Sequence, residues 1–246
     1  MLNTHDGKAE SYDIGRPEYP EAFFDFLYNE VGFNTDDIIA DIGCGTGKVT
    51  KHFLERDNKI VAIEPDGDML CIANKKLSKY SNYSSFQKTA EDTGIEPDSI
   101  DHIFCGNSYY WFERSKVVPE FKRILRINGS IVTSWLGTDT FNKYADELSE
   151  IYEKYSKSVP NKRYESPVFL SGTFSEKTFT YIIYQTMEEF LHGLLSESGL
   201  PVAGDDTYEL CCDGIKKIFD KYSKNEKLET ICKLYCMIGN AENLGL

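Results

Sequence analysis

This sequence predicts a doubly wound α/β fold, and three observations carry the prediction. Short, apolar, β-branched runs recur between amphipathic segments from residue 38 to residue 135. The first run, IIADI, passes directly into three glycines at every second position, Gly43, Gly45 and Gly47. The next, IVAIEP, ends on an acidic residue, Glu64. Parallel strands buried on both sides read as continuous apolar runs, and strand–helix alternation builds parallel sheets with right-handed crossovers that place helices on both faces.

Taken in order, the first 19 residues are polar apart from SYDIGRPEYP at 11–20. Pro20 heads an amphipathic helix, EAFFDFLYNEVG, with Gly32 as its C-cap, because proline presets the first helical turn and glycine accepts the left-handed conformation past the last one. Two readings of the lead-in stand: a prolyl approach to a helix covering the sheet edge, or a segment in which Tyr12, Arg16 and Tyr19 fold over a ligand. Strands are expected at 38–42, 60–64, 84–88, 100–106 and 129–135, and helices at 46–56, 67–79 and 114–126, with a turn of helix after Glu91. Past Trp135 the rhythm breaks. Residues 140–157 read as a charged helix, 158–177 as a loop or cap, 177–186 as a strand, 187–198 and 207–223 as helices, and 227–239 as a last strand.

The glycines mark where something binds. Residues without a Cβ let the chain turn sharply and let a ligand approach the backbone N–H groups, and the helix behind the turn adds free donors and partial positive charge. In open sheets of this kind ligands sit at the carboxyl ends of the strands. That rule selects Gly43 to Gly47, Glu64, Thr89 to Asp92 and Cys105 to Trp111.

Composition narrows the class. The 246 residues are 41% hydrophobic and 27% charged, ordinary for a globular protein. The start, MLNTHDGKAESYD, has no apolar stretch of the kind a signal peptide needs, and no run approaches the roughly 18 residues of a membrane span, so a cytoplasmic protein is expected. A formal net charge of −13 argues against nucleic acid, whose binding depends on basic patches; a small-molecule ligand is expected instead. Seven cysteines without a C-x-x-C pair and four scattered histidines read as buried, reduced thiols with no metal site.

The motifs ADIGCGTGKVT, VAIEPDGDML, KTAEDTGIEPDSID, DHIFCGNSYYWF and FKRILRINGSIV, in that order over residues 36–135, resemble those of the class I S-adenosylmethionine-dependent methyltransferases, small-molecule branch, trans-aconitate methyltransferase-like. YDIGRPEYP and EEFLHGLLSESGLP extend the likeness over nearly the whole chain. The resemblance implies a Rossmann-like, seven-stranded, mostly parallel sheet with the last strand antiparallel beside the fifth. It implies one domain over 1–246, its core about 36–135 and 178–246, capped by 1–30 and about 137–177. It also implies S-adenosylmethionine as cofactor and S-adenosylhomocysteine as product. Gly43, Cys44, Gly45 and Gly47 would line the amino-acid part, with Asp41 orienting that loop or the cofactor's ammonium and Arg16 contributing from the lead-in. Glu64 would accept both ribose hydroxyls; Pro65, Asp66 and Met69 would border the adenine; Thr89, Ala90 and Glu91 would meet its edge; Asn107 would lie beneath the methionyl arm.

Tyr110 stands where many relatives carry a histidine, and is the candidate catalytic group, although a tyrosine with an ordinary pKa of about 10 is a weak base. Methyl transfer draws mostly on near-attack positioning, and an acceptor carboxylate needs no base. Tyr12, Tyr19, Tyr109, Tyr110, Trp111 and Trp135 are the candidate acceptor-binding residues; the rings of Trp111 and Trp135 read equally as core. Lys162 and Arg163 either meet an anionic acceptor or form a solvated face. Two other classes stay open. A nicotinamide-dependent oxidoreductase would need G-x-G-x-x-G, but the third position after Gly43 and Gly45 is Lys48. A cofactor-binding protein without catalysis would lack an acceptor pocket.

Overall fold

A computed structural model describes residues 7–138, 142–157 and 174–244. The elements in order are α1 (Ala9–Gly15), α2 (Glu21–Phe26, continued by a wider π turn, Leu27–Val31), β1 (Ile38–Ile42), α3 (Lys48–Leu54), β2 (Lys59–Ile63), α4 (Gly67–Leu77), β3 (Tyr83–Phe86), β4 (Ile100–Gly106), α5 (Arg114–Ile124), β5 (Leu125–Gly137), α6 (Ala145–Tyr155), β6 (Ser175–Gln185), α7 (Met187–Leu195), α8 (Tyr208–Tyr222) and β7 (Leu228–Asn240). The strands form one seven-stranded sheet in the order β3-β2-β1-β4-β5-β7-β6. Strands β1 to β5 pair in parallel, and the last strands are antiparallel. The switch in strand order falls between β1 and β4, where Ile39 faces Ile60 on one side and His102 on the other.

By its contacts the chain divides into two compact units. The larger holds, among the described residues, 19–136, 174–179 and 234–244. One face of its sheet packs on aromatic rings: Phe23, Phe24, Phe53 and Phe104 are wholly buried and meet mostly edge to face, the geometry ring quadrupoles favour. The other face packs Ile42, Ile103, Cys105 and Ile131 against Val117, Phe121 and Ile124 of α5. The amino ends of the strands are tied by His102, whose Nε2 lies 2.8 Å from Asp37 and Nδ1 2.7 Å from the Ser130 hydroxyl, with the ring stacked 3.7 Å from Phe33. Burial lowers the His102 pKa against the opposing pull of Asp37.

The smaller unit holds residues 7–18, 137–138, 142–157 and 180–233. Its core is Leu148, Phe190, Leu195, Cys211, Ile215 and Phe219, from the apolar stripes of α6, α7 and α8. Thr186 and Glu189 form a reciprocal capping box at the start of α7. Lys8, almost fully buried, donates to the carbonyls of Glu197 and Leu200.

Four expectations need correcting. A turn of helix does not follow Glu91; Thr89 and Asp92 close a tight turn, and the Glu91 carboxylate accepts the N–H of Glu113 at 2.8 Å. β5 begins at Leu125, straight out of α5, because Leu125 pairs with Ile100 ahead of a register shift to His102 and Ser130. The helix after the glycines starts at Lys48 rather than near Thr46, since Gly47 holds φ 77° as its N-cap. The lead-in contains a helix, α1, seated against α7 at two glycines: a Cβ on Gly15 would lie 1.8 Å from the Gly193 nitrogen. Gly32 caps the helix begun at Glu21 in the left-handed conformation, φ 99°, as expected. Most of the expected cap at 158–177, with Lys162 and Arg163, lies outside the described residues. Among the described residues no helix is long and apolar enough to cross a membrane. Six of the seven cysteines are buried, Cys71 being exposed, and all are free thiols.

Candidate active site

The glycine turn forms at the carboxyl end of β1. Gly43, Gly45 and Gly47 hold φ of 75°, 56° and 77°, the left-handed region that a Cβ penalises. Space forbids side chains at two of them: a Cβ on Gly43 would lie 2.5 Å from that of Ser108, and one on Gly47 2.6 Å from Leu77 of α4. The N–H groups of Gly43 and Cys44 both donate to Ile63 O, at 2.7 and 3.1 Å, tying the turn to the end of β2. Burial pushes the Cys44 thiol well up, which keeps it protonated and unreactive.

Two buried carboxylates flank the turn. Asp41, the penultimate residue of β1, accepts the Thr50 hydroxyl of α3 at 2.5 Å and is only 2% exposed. It thus holds strand and helix to one another across the turn. Glu64 follows β2; its Oε2 accepts Gly45 N–H at 2.8 Å and its Oε1 Asp66 N–H at 3.0 Å. Burial raises both acids to about 7, against the pull of the Thr50 hydroxyl on Asp41 and of the two N–H groups on Glu64. Among the described residues no ion pair involves either one. Asp66 caps α4 through Oδ1, bonded to the N–H groups of Asp68 and Met69, while its Oδ2 and the Thr46 hydroxyl are buried without a protein partner. Met69 and Ala90 are buried, Pro65 is exposed, and Thr89 and Glu91 are half-buried.

The end of β4 supplies a polar network. Asn107, at φ 53°, accepts Leu136 N–H at 2.9 Å through Oδ1 and donates through Nδ2 to the Tyr19 hydroxyl at 3.2 Å. Tyr19 is bonded in turn to the Ser134 hydroxyl at 2.9 Å. Only 6% exposed, Tyr19 packs its ring on Phe23 and Phe104. Asn107→Ala loses both side-chain bonds and keeps the unfavourable φ, so unfolding in urea should show about 2–3 kcal/mol of destabilisation, with Asn107→Gly recovering about 1 kcal/mol of it. Tyr109, Tyr110 and Trp111 form a short 3-10 turn with ring centroids 5.4 and 5.5 Å apart. Trp135 lies near the end of β5, 41% exposed. Tyr12 and Arg16 belong to the smaller unit, where Arg16 lies 5.2 Å over the Tyr12 ring and pairs with Glu197 at 2.6 Å.

The larger unit therefore gathers Asp41, the glycines, Glu64, the Thr89–Asp92 turn, Asn107 and the Tyr109–Trp111 turn at the carboxyl ends of its strands. Two residues of the site were not expected from the sequence, Thr50, which holds Asp41, and Tyr235, stacked on Trp135 at 5.2 Å; Ser108, inside the expected Cys105–Trp111 stretch, abuts Gly43. For Thr50 there was a signal, a polar residue on the helix directly after the turn; for Tyr235, a hundred residues from Trp135, there was none.

Residues 40–133 match the family described as a methyltransferase domain. Over 161 residues the chain is 28% identical to an uncharacterized methyltransferase-like protein of Schizosaccharomyces pombe, covering 65% of this chain and 62% of that one. Over this stretch the chain resembles class I methyltransferase domains. A malonyl-acyl-carrier-protein O-methyltransferase of Halalkalibacterium halodurans is 30% identical over 171 residues, 63% of each chain. The fold matches that of a protein from Anaeromyxobacter dehalogenans named as a type II methyltransferase, with a TM-score of 0.70 at 19% identity, covering 92% of this chain and 98% of that one. The chain spans less than two thirds of the length of the first curated relatives it matches.

The donor of methyltransferases of this class is S-adenosylmethionine. The residues present fit it on two counts. Asp41 and Glu64 are buried acids with no ion pair among the described residues, and the group carries an ammonium and a ribose diol that a carboxylate can hold. The Thr46 hydroxyl and Asp66 Oδ2, buried without a hydrogen-bond partner among the described residues, are further polar groups of the same two loops.

Proposed function

We propose that the protein transfers a methyl group from S-adenosylmethionine to a small-molecule acceptor, with a carboxylate oxygen as the favoured acceptor atom. The observation that carries this reading is Glu64, a buried carboxylate just past β2, bonded into a turn of three left-handed glycines and without a cationic partner among the described residues. When bound, the group supplies an electrophilic methyl on a cationic sulfur. Glu64 holds the ribose hydroxyls, Asp41 fixes the turn through Thr50, and Gly43 to Gly47 admit the methionyl arm against the backbone. Asn107 sets the floor between β4 and β5. Tyr109, Tyr110 and Trp111 wall the acceptor side, and their π faces favour positive charge at the reacting sulfur. Tyr110 belongs to that wall and orients the acceptor. The O-methyltransferase among the similar proteins supports an oxygen acceptor, and a carboxylate, ionised at neutral pH, asks for no general base.

Calorimetric titration of the full chain with S-adenosylhomocysteine tests the reading. Micromolar binding is expected, whereas no binding, or binding of a nicotinamide dinucleotide instead, overturns it. Turnover with labelled S-adenosylmethionine against carboxylic acids, amines and phenols then separates an enzyme from a cofactor-binding protein, and turnover of amines alone overturns the carboxylate.

The pH dependence has a fixed sign. Asp41 and Glu64 hold protons more tightly in the folded chain than free side chains do, so they favour folding at low pH, and that contribution declines as pH rises from about 4 to about 7. Cofactor binding runs the other way, because the ribose hydroxyls donate to the ionised Glu64 carboxylate. Affinity for S-adenosylhomocysteine should rise about tenfold from pH 6 to pH 8 and then level off, and Glu64→Gln should flatten the rise.

A further inference from the structure

We infer that Trp135 and Tyr235 form a platform for a flat, conjugated portion of the acceptor, with the Thr133 hydroxyl as its polar contact one step deeper on the same face. The inference rests on the methyl-transfer reading above and names the substrate class of that site.

Trp135 lies two residues before the end of β5, and its ring is 5.2 Å from that of Tyr235 on β7 at an interplanar angle of 19°. Tyr235 is half-buried, whereas Trp135 is 41% exposed. A partner on one side fixes the plane of the indole and leaves its remaining surface to stack with something else, the offset arrangement that aromatic systems favour. A large indole with this much exposure is not the usual core tryptophan.

The position of the pair relates it to the site. Side chains alternate along a strand, so Ile131, Thr133 and Trp135 share one face of β5 while Ser134 points to the other, where it bonds Tyr19. Ile131 belongs to the core under α5, and Trp135 is where this row reaches solvent. On β4, Cys105 pairs with Thr133 and Gly106 with Ser134, and Asn107 N–H donates to Ser134 O at 2.9 Å. The row therefore ends at the strand termini that carry the candidate site.

Thr133 is the independent observation. Its hydroxyl is buried, its residue 1% exposed, and it has no hydrogen-bond partner among the described residues. Buried hydroxyls almost always bond, so one left unsatisfied in the row leading to an exposed indole points to a ligand that bonds it. The acceptor so described has a planar π system with a hydrogen-bonding group at one end.

The test uses the full chain with S-adenosylhomocysteine present and two neutral amides of similar size, trans-cinnamide, which is flat and conjugated, and 3-cyclohexylpropanamide, which is neither. Calorimetric titration should show trans-cinnamide binding at least tenfold tighter. Tyr235→Leu and Trp135→Leu should each abolish that preference, Tyr235→Phe should keep it, and Thr133→Val should weaken trans-cinnamide several-fold. Tyr235→Leu retains bulk and burial, so its thermal midpoint and its affinity for S-adenosylhomocysteine should stay near those of the parent; a merely structural tyrosine would not move the ratio. Equal affinities, no binding of either amide, or a preference that survives both leucine variants overturns the inference while leaving methyl transfer standing. Failure to bind S-adenosylhomocysteine overturns the reading beneath it instead.

Discussion

Glu64→Ala should lower the affinity for S-adenosylhomocysteine by about a hundredfold, or roughly 2–3 kcal/mol, the range for hydrogen bonds to a charged group. A carboxylate accepts both hydroxyls of a ribose at once, an arrangement an alanine removes and an amide only half imitates. Glu64→Gln should therefore lose about tenfold. The loss belongs to binding rather than to folding, because removing a buried acid held at about 7 also removes the cost of ionising it. That gain offsets part of the penalty for leaving the N–H groups of Gly45 and Asp66 without their acceptor. Titration calorimetry at pH 8, with a thermal melt of each variant alongside, separates the two. An unchanged affinity in a folded Glu64→Ala protein would remove Glu64 from the site.

The second large effect falls on Gly43. Alanine there meets two costs, about 1–2 kcal/mol for a Cβ at φ 75° and about 1–3 kcal/mol for overlap with Ser108, whose Cβ would be 2.5 Å away. Ser108 cannot retreat freely, because its hydroxyl donates to Ile42 O at 2.7 Å. Gly43→Ala should lose about 2–4 kcal/mol in urea unfolding and bind no S-adenosylhomocysteine at micromolar concentrations. Gly32→Ala is the control: its φ is 99°, but nothing lies within 4 Å of the added Cβ, so a loss of only about 1 kcal/mol is expected. Equal losses at the two positions would show that backbone conformation alone sets the cost.

What could be read from the chain in advance follows the range of each interaction. The turn at Gly43 to Gly47, the acid after β2 and the strand–helix rhythm are local patterns, and they stand where the sequence places them. α1 was not legible, because AESYDIG is polar and short and its helix is seated on α7 through Gly15 and Gly193. Nor was the turn after Glu91, which is settled by the N–H of Glu113, 22 residues on. Tyr19 looked like a ligand contact from its neighbours, and it proves to be a buried strut between Asn107 and Ser134. Such outcomes depend on which segments meet, and no periodicity records that.

The chain of Asp37, His102 and Ser130, with Phe33 stacked on the imidazole, lies at the amino ends of the strands, whereas everything assigned to chemistry lies at their carboxyl ends. One fastening of the sheet is thus kept at the pole opposite the candidate site. For anyone wishing to make the protein hardier, this is a licence to work at the His102 pole with little fear of dulling the catalyst. Changes at the other pole trade durability against activity.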